Sequence, residues 1–133
     1  MSACEEPAAT DGPAGDLADV PLDGPETVAE ERLLARFGQQ ARTVNLARVL
    51  RLLELLDASD AGGLEERGRG EAEHLAHQVV GSAGTFGFPA ASVDAAVIED
   101  YFGAARTGPR PDGPVVRRTL ERLRAEFAAP AQR

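Results

Sequence analysis

Apolar residues recur three and four positions apart along most of the chain, a spacing typical of helices. The stretch "PETVAEERLLARFG" (residues 25–38) opens with proline and acids and ends on glycine, which are helix start and stop signals. The following stretch, "QQARTVNLARVLRLLELLDAS", has too many apolar positions for a narrow stripe and therefore predicts a long, well-buried helix. These positions are Val44, Leu46, Val49, Leu50, Leu52, Leu53, Leu55 and Leu56.

The second half of the chain contains three further helical patterns. After the loop "DAGGLEERGRG", a helix is predicted from about Glu71 to Phe86, with Gly87 as its C-terminal cap. The next pattern begins at Pro89 and ends at Gly108, where the turn "PRPDG" follows. The last helix is marked by apolar residues at helical spacing, namely Val116, Leu120, Leu123 and Phe127.

No strand-like alternation and no internal repeat is visible, and the loops between the predicted helices are short. Short loops favour antiparallel neighbours. We therefore predict an all-α fold, an antiparallel up-down four-helix bundle with a short extra N-terminal helix. Residues 1–25 contain four prolines and three glycines, a composition that cannot bury enough apolar surface to order itself. We interpret 1–25 as a flexible acidic tail and 26–133 as the folded domain.

Composition narrows the possible functions. The formal net charge is −8, which argues against nucleic acid and against an anionic membrane surface, because both require a basic face. The single cysteine, Cys4, cannot form an internal disulfide or a cysteine-based zinc site. No apolar stretch approaches the ~20 residues of a membrane span, and the N-terminus does not have the pattern of a signal peptide. These features predict a cytoplasmic protein.

The stretch "EHLAHQVVGSAGTFGFP" (73–89) places glycines on the face of the helix that carries a histidine. On a helical wheel, the apolar stripe of Leu75, Val79, Ala83 and Phe86 lies opposite His77. Gly81 and Gly84 fall within about 40° of His77, with Val80 and His74 on its flanks. Glycine inside a helix costs about 1 kcal/mol relative to alanine. We interpret the two glycines as clearing space for a partner around an exposed imidazole; a histidine that merely lies at the surface is the plainer alternative.

A carboxylate on the next helix is predicted to lie beside this histidine. From His77 to Gly87 the helix rises about 15 Å, and an antiparallel helix starting near residue 90 returns the same distance by about residue 100. Glu99 and Asp100 are then level with His77. A carboxylate at Glu99 would accept a hydrogen bond from one ring nitrogen, fix the tautomer and leave the other nitrogen as a nucleophile. An ordinary solvated acid remains the alternative for Glu99.

These residues resemble the histidine phosphotransfer (HPt) domain of multistep phosphorelays over roughly residues 26–128. The resemblance is carried by "LAHQVVGSAGTFGFPAASVDAAVIEDYF": an Ala-His pair at 76–77, Gly-Ser at 81–82, a run of small residues ending at Gly87, and Ile-Glu at 98–99. It implies a four-helix bundle in which His77 is the phosphoacceptor, Gly81 lets a receiver close over the ring, and Glu99 orients the imidazole.

The resemblance also implies the partners, which are response-regulator receiver domains and a sensor histidine kinase, and a monomer as the default state. It implies no cofactor in this chain, since Mg²⁺ would belong to the receiver and ATP to the kinase. One departure concerns charge: the family's usual lysine three residues after the histidine is Val80 here. A missing ammonium weakens attraction for a phosphoryl group. His74, Arg67 or Arg69 are candidates to replace that charge.

The sequence leaves one competing function open, a degenerate bundle that binds receivers or other partners without chemistry. In that case Val80 and Phe88 would supply apolar contacts around Gly81, Gly84 and His74. Metal binding is disfavoured, because a di-iron site requires two Glu-x-x-His motifs and the chain has only two histidines, both on one helix. Signatures of hydrolases and of glycine-rich phosphate loops are also absent from the sequence.

Overall fold

The computed structural model describes residues 25–104 and 109–129. Within these ranges the chain forms four helices and no strand, which confirms the all-α prediction. The helices are α1 (Pro25–Asp60), α2 (Glu66–Thr85), α3 (Pro89–Phe102) and α4 (Gly113–Ala128). Of the described residues, 36–104 and 109–129 belong to one compact unit, and 25–35 to another. The predicted tail, apart from Pro25 as the first residue of α1, lies outside the described residues.

Side-chain contacts show that neighbouring helices of the larger unit run antiparallel. Between α1 and α4, Arg42 donates to the carbonyl of Glu126 near the C-terminus of α4. At the other end of this pair, Arg117 donates to Asp57 on α1. Between α1 and α2, bonds join Asn45 to Ser82 and Arg51 to Glu71. Between α2 and α3, Ser92 donates to the carbonyl of Val80, and Glu99 contacts His77. Between α3 and α4, Arg122 pairs with Asp94. The order along the chain is therefore up, down, up, down.

The core is built from small and aliphatic side chains with two phenylalanines at its ends. The interior residues of α2 and α3 are largely alanines, which lets the two helices approach closely. As predicted, Val116, Leu120, Leu123 and Phe127 of α4 are buried. On α1 the predicted positions divide. The buried ones are Val49, Leu52, Leu53, Leu55 and Leu56, Leu46 is half-buried, and Val44 and Leu50 lie at the surface. A straight helix covered by neighbours on one side cannot bury apolar residues around its whole circumference.

The structure corrects the predicted helix boundaries. The expected stop at Gly38, which would have produced a separate short N-terminal helix, is absent, because α1 continues through it to Asp60. A glycine costs a helix only about 1 kcal/mol, too little to end a pattern that continues on both sides. The helix α2 begins five residues before the predicted start, at Glu66. The helix α3 ends at Phe102, where Gly103 turns to an extended conformation, and not at Gly108.

Phe86 was predicted in the apolar stripe of α2 and is instead exposed, with 43% of its surface accessible. The helix ends at Thr85, so Phe86 no longer follows the helical rotation that the prediction assumed. Gly87 has φ +90°, and the amide of Phe88 donates to the carbonyl of Ala83 across 2.8 Å. This left-handed C-terminal cap confirms the predicted role of Gly87 and directs the chain into α3.

Candidate functional site

His77 lies on α2 with most of its imidazole in solvent, since 71% of the side chain is accessible. Its Nδ1 atom is 2.9 Å from Oε2 of Glu99 on α3. The Glu99 side chain is less open, with 31% of it accessible. The juxtaposition expected from helix rise and loop length is therefore present in the structure.

The register of α2 against α3 explains why these two residues meet. One turn before His77 on α2, the Glu73 carboxylate lies 3.5 Å from the point that a Cβ on Gly103 would occupy. Two turns after His77, a Cβ on Gly84 would lie 3.5 Å from Oγ of Ser92. The three facing pairs are therefore 73 with 103, 77 with 99 and 84 with 92. Each step forward along α2 is matched by an equal step backward along the stretch 92–103. The packing of small residues thus holds the two helices in one antiparallel register, in which Glu99 faces His77.

The hydrogen bond assigns different roles to the two ring nitrogens. An ionised carboxylate accepts hydrogen bonds and donates none, so Nδ1 of His77 carries a proton and donates a hydrogen bond to Glu99. Nε2 then keeps its lone pair and is the nucleophilic nitrogen of the ring. The arrangement is that of a nucleophilic imidazole oriented by a carboxylate on the neighbouring helix.

The two glycines near His77 prove to be different. A Cβ on Gly81 would meet nothing within 4 Å, so no part of the described chain requires glycine there. A Cβ on Gly84, by contrast, would lie in ordinary van der Waals contact with Ser92, whose hydroxyl donates to the carbonyl of Val80 across 2.8 Å. Gly81 lies one helical turn after His77, so the open space beside it is next to the imidazole. Any steric need for a glycine at this position must therefore arise from a partner.

The other predicted contact residues are less uniformly accessible than the sequence suggested. His74 is exposed one turn before His77. Val80 and Phe88 are both half-buried and pack against the core. The Phe88 ring makes an edge contact with Phe127, with centroids 5.5 Å apart, and the guanidinium of Arg42 lies 5.0 Å from its centroid. Phe88 thus closes one end of the core and offers only part of its ring to a partner.

Positive charge is scarce around the histidine. The sequence has no arginine or lysine between residues 70 and 105, which include most of α2 and all of α3. Arg69, one of the candidate replacements, is bound to Glu66 and Glu73 and to the carbonyl of Phe102. These carboxylates, Glu66 foremost, raise the pKa of Arg69 further above its already high value. Arg69 therefore serves the packing of α2 on α3.

A polar cluster that the sequence patterns did not predict lies between α1 and α2. Asn45 is fully buried, and its Nδ2 donates to Oγ of Ser82 across 3.1 Å. Its Oδ1 accepts a hydrogen bond from Nη1 of Arg48 at 2.8 Å. The signal for it is a lone asparagine four residues before Val49, on the face of α1 that is otherwise apolar.

A surface groove of about 370 Å³ lies over this cluster. Exposed apolar side chains of Phe37, Val44 and Phe86 form part of its wall. Gln78, the residue after the histidine, also lines it. The groove therefore adjoins the turn of α2 that carries His77.

The described residues hold no group of three or more histidine, cysteine, aspartate or glutamate side chains arranged to bind a metal ion. The paired His77 and Glu99 fall short of such a group. In the same ranges no helix has the length and hydropathy needed to cross a membrane.

Comparison with known families identifies one match. The family described as "Hpt domain" matches residues 31–129, which include all of α2, α3 and α4. No curated protein and no solved structure gives a significant match. The matched range contains both His77 and Glu99, so the family assignment and the site geometry concern the same part of the molecule.

Proposed function

Because this chain belongs to the Hpt domain family, whose members are phosphotransfer modules of phosphorelays, we propose that His77 is its phosphoacceptor and Glu99 the residue that orients the ring. The observation that carries the proposal is the 2.9 Å bond from Nδ1 of His77 to Glu99, which leaves Nε2 of an exposed imidazole free to react. The donor and acceptor are receiver domains of response regulators, with a sensor histidine kinase upstream.

The transfer step needs no proton to move. The lone pair of Nε2 attacks the phosphorus of an aspartyl phosphate, a P–N bond forms, and the P–O bond breaks to release the aspartate carboxylate. The proton on Nδ1 stays in place, so the ring becomes a cation beside the Glu99 carboxylate. In the reverse direction the ring leaves as neutral imidazole with its Nδ1 proton retained. Glu99 thus stabilises the charge that develops on His77 in either direction.

The remaining requirements of the reaction fall on the partner. Phosphoryl transfer depends mainly on in-line positioning and on neutralising the charge of the transferred group. This chain contributes a nucleophile on a convex helical surface and the open space at Gly81 beside it. A receiver would contribute its aspartate and its Mg²⁺. We propose that the chain acts as a cytoplasmic monomer without a cofactor of its own.

The test is transfer from receiver domains phosphorylated with acetyl phosphate, followed by intact mass measurement of this chain. The native chain should gain one acid-labile phosphoryl group, and His77→Gln should gain none. His74→Gln is the matched control, because it removes the only other histidine, which is also exposed on the same helix. Transfer that survives His77→Gln would contradict the proposal. Binding of receivers without any transfer would indicate a bundle that serves only as an interaction module.

A further inference from the structure

The helix α2 supplies no free arginine or lysine within two turns of His77. No arginine or lysine occurs between residues 70 and 105, and Arg69 is bound by Glu66 and Glu73. A phosphoryl group on Nε2 would add negative charge close to the Glu99 carboxylate. Arg67, also on α2, is ten residues from His77, about 15 Å along the helix. Among the described residues, a cation level with the imidazole therefore has to come from another helix.

The helix α1 brings an arginine to the height of the histidine. Two bonds fix α1 against α2: Asn45 to Ser82 towards one end, and Arg51 to Glu71 towards the other. Because the helices are antiparallel, the residue of α1 midway between these bonds faces the middle of the bracketed part of α2. That residue is Arg48.

The middle of the bracketed part of α2, residues 71–82, falls at Ala76 and His77. Arg48, Gln78 and Ser82 line the same groove between the two helices. Gln78 lies about 100° around α2 from His77, on the side that faces α1. Arg48 therefore lies on the α1 side of α2, beside Gln78, whereas Glu99 contacts His77 from α3.

The guanidinium of Arg48 forms no ion pair among the described residues, unlike that of Arg51. Its Nη1 donates to Oδ1 of Asn45, a neutral acceptor, across 2.8 Å, and it pairs with no carboxylate among the described residues. Arg51, one turn further along α1, is bound to both Glu71 and Glu54. Turning Arg48 towards an anion would therefore cost one neutral hydrogen bond and no ion pair.

We propose that Arg48 binds the phosphoryl group on His77 from α1, a role that rests on the proposed function of His77. A guanidinium presents several N–H groups in one plane and binds phosphoryl oxygens in a bidentate manner. In this arrangement the cation that binds the phosphoryl group comes from α1. Position 80 on α2, where the family usually has lysine, can then be the apolar Val80.

The first test uses the full chain and phosphoramidate, a small phosphoryl donor that requires no receiver. Arg48→Gln should lower the rate of phosphorylation of His77 about threefold to tenfold, the range expected for one partly exposed charge-assisted hydrogen bond. Arg48→Lys should restore part of the rate. Arg118→Gln, which removes an equal charge from the exposed surface of α4, should match the native chain. If Arg48→Gln and Arg118→Gln react at equal rates, the proposed role of Arg48 is wrong, while the proposed function of His77 is unaffected.

A second measurement separates binding from a loss of folding in the variant. In the native chain, the NMR signal of the Arg48 Nε–H group should shift when His77 becomes phosphorylated, while that of Arg118 should not. An unchanged Arg48 signal would overturn the proposal even if Arg48→Gln reacts slowly, because the slow rate would then reflect structure. A native chain that takes no phosphoryl group, or takes one elsewhere than His77, would overturn the proposed function and this inference together.

Discussion

His77 and Glu99 are 22 residues apart in the chain and on different helices, yet Nδ1 of the one lies 2.9 Å from Oε2 of the other. The contact crosses the surface of the α2–α3 hairpin, where the histidine is open to solvent and the carboxylate is partly covered. It gives the site a defined tautomer before any partner binds.

The contribution of this contact can be measured with phosphoramidate as donor. Glu99→Ala removes both the hydrogen bond and the negative charge, and should lower the rate of phosphorylation of His77 about tenfold. Glu99→Gln keeps an acceptor oxygen but not the charge, and should retain an intermediate rate. Asp100→Asn is the control, because this neighbouring carboxylate is exposed on α3. A Glu99→Ala variant as fast as the native chain would exclude the proposed role of Glu99.

Gly81 should separate folding from partner access. A Cβ there would meet nothing within 4 Å, so Gly81→Ala should stabilise the fold by about 1 kcal/mol, as expected for an interior helix position. Transfer from a phosphorylated receiver should nevertheless slow, while phosphorylation by phosphoramidate should not, because only the receiver has to close over this surface. Thermal unfolding and the two rates are the measurements.

Gly38→Ala provides the comparison for Gly81→Ala. This glycine is also interior to a helix and also has nothing within 4 Å of an added Cβ, but it lies on α1. It should show the same gain in stability with no change in either rate. Equal slowing of receiver transfer in both variants would mean that glycine at position 81 has no special part in docking.

Gly87 should be sensitive to any side chain for a reason unrelated to partners. Its φ of +90° is a conformation that L residues with a Cβ rarely adopt. Gly87→Ala should destabilise the fold by about 1–2 kcal/mol, a loss that lowers the melting temperature by roughly 4–8 °C per kcal/mol in a domain of this size. Gly87→Asn should lose less, since asparagine tolerates this region better. Equal melting temperatures for Gly87→Ala and the native chain would refute the assignment of a left-handed cap.

Asn45 and Ser82 should behave as a coupled pair. Asn45 is fully buried and donates to Ser82 across 3.1 Å. Asn45→Ala should cost about 1–3 kcal/mol, because it leaves polar groups without their partner in the interior. In a double-mutant cycle with Ser82→Ala, the two losses in the free energy of unfolding should not add. Additive losses would show that the bond contributes nothing to the packing of α1 on α2.

The pair between Arg51 and Glu71 should give stability a dependence on pH. Hydrogen bonding to Arg51 lowers the pKa of Glu71 below its ordinary value of 4.5. A group whose pKa is lowered by folding stabilises the protein above that ordinary value, and the contribution is lost as pH falls through the folded pKa. The stability difference between the native chain and Glu71→Gln should therefore be present at neutral pH and shrink below pH 4.5. Urea unfolding at several pH values measures it, and a difference that persists unchanged in acid would contradict the pairing.

The sequence by itself determined the helical class, the buried stripe of α4 and the relation of His77 to Glu99. These follow from local rules: the helical period selects the buried face of α4, and helix rise with a short loop sets which residues of α2 and α3 are level. The cap at Gly87 was equally local, since the conformation it adopts depends on its lack of a Cβ.

Only the tertiary structure decided features that depend on which surfaces meet. Val44 and Leu50 have the same apolar character as Leu52, but they lie outside the contact between helices and remain exposed. The commitment of Arg69 to the carboxylates around it, and the comparative freedom of Arg48, follow from side-chain reach across the assembled bundle. Such contacts join residues of separate helices through the register of packing, which the helical period of any one segment does not specify.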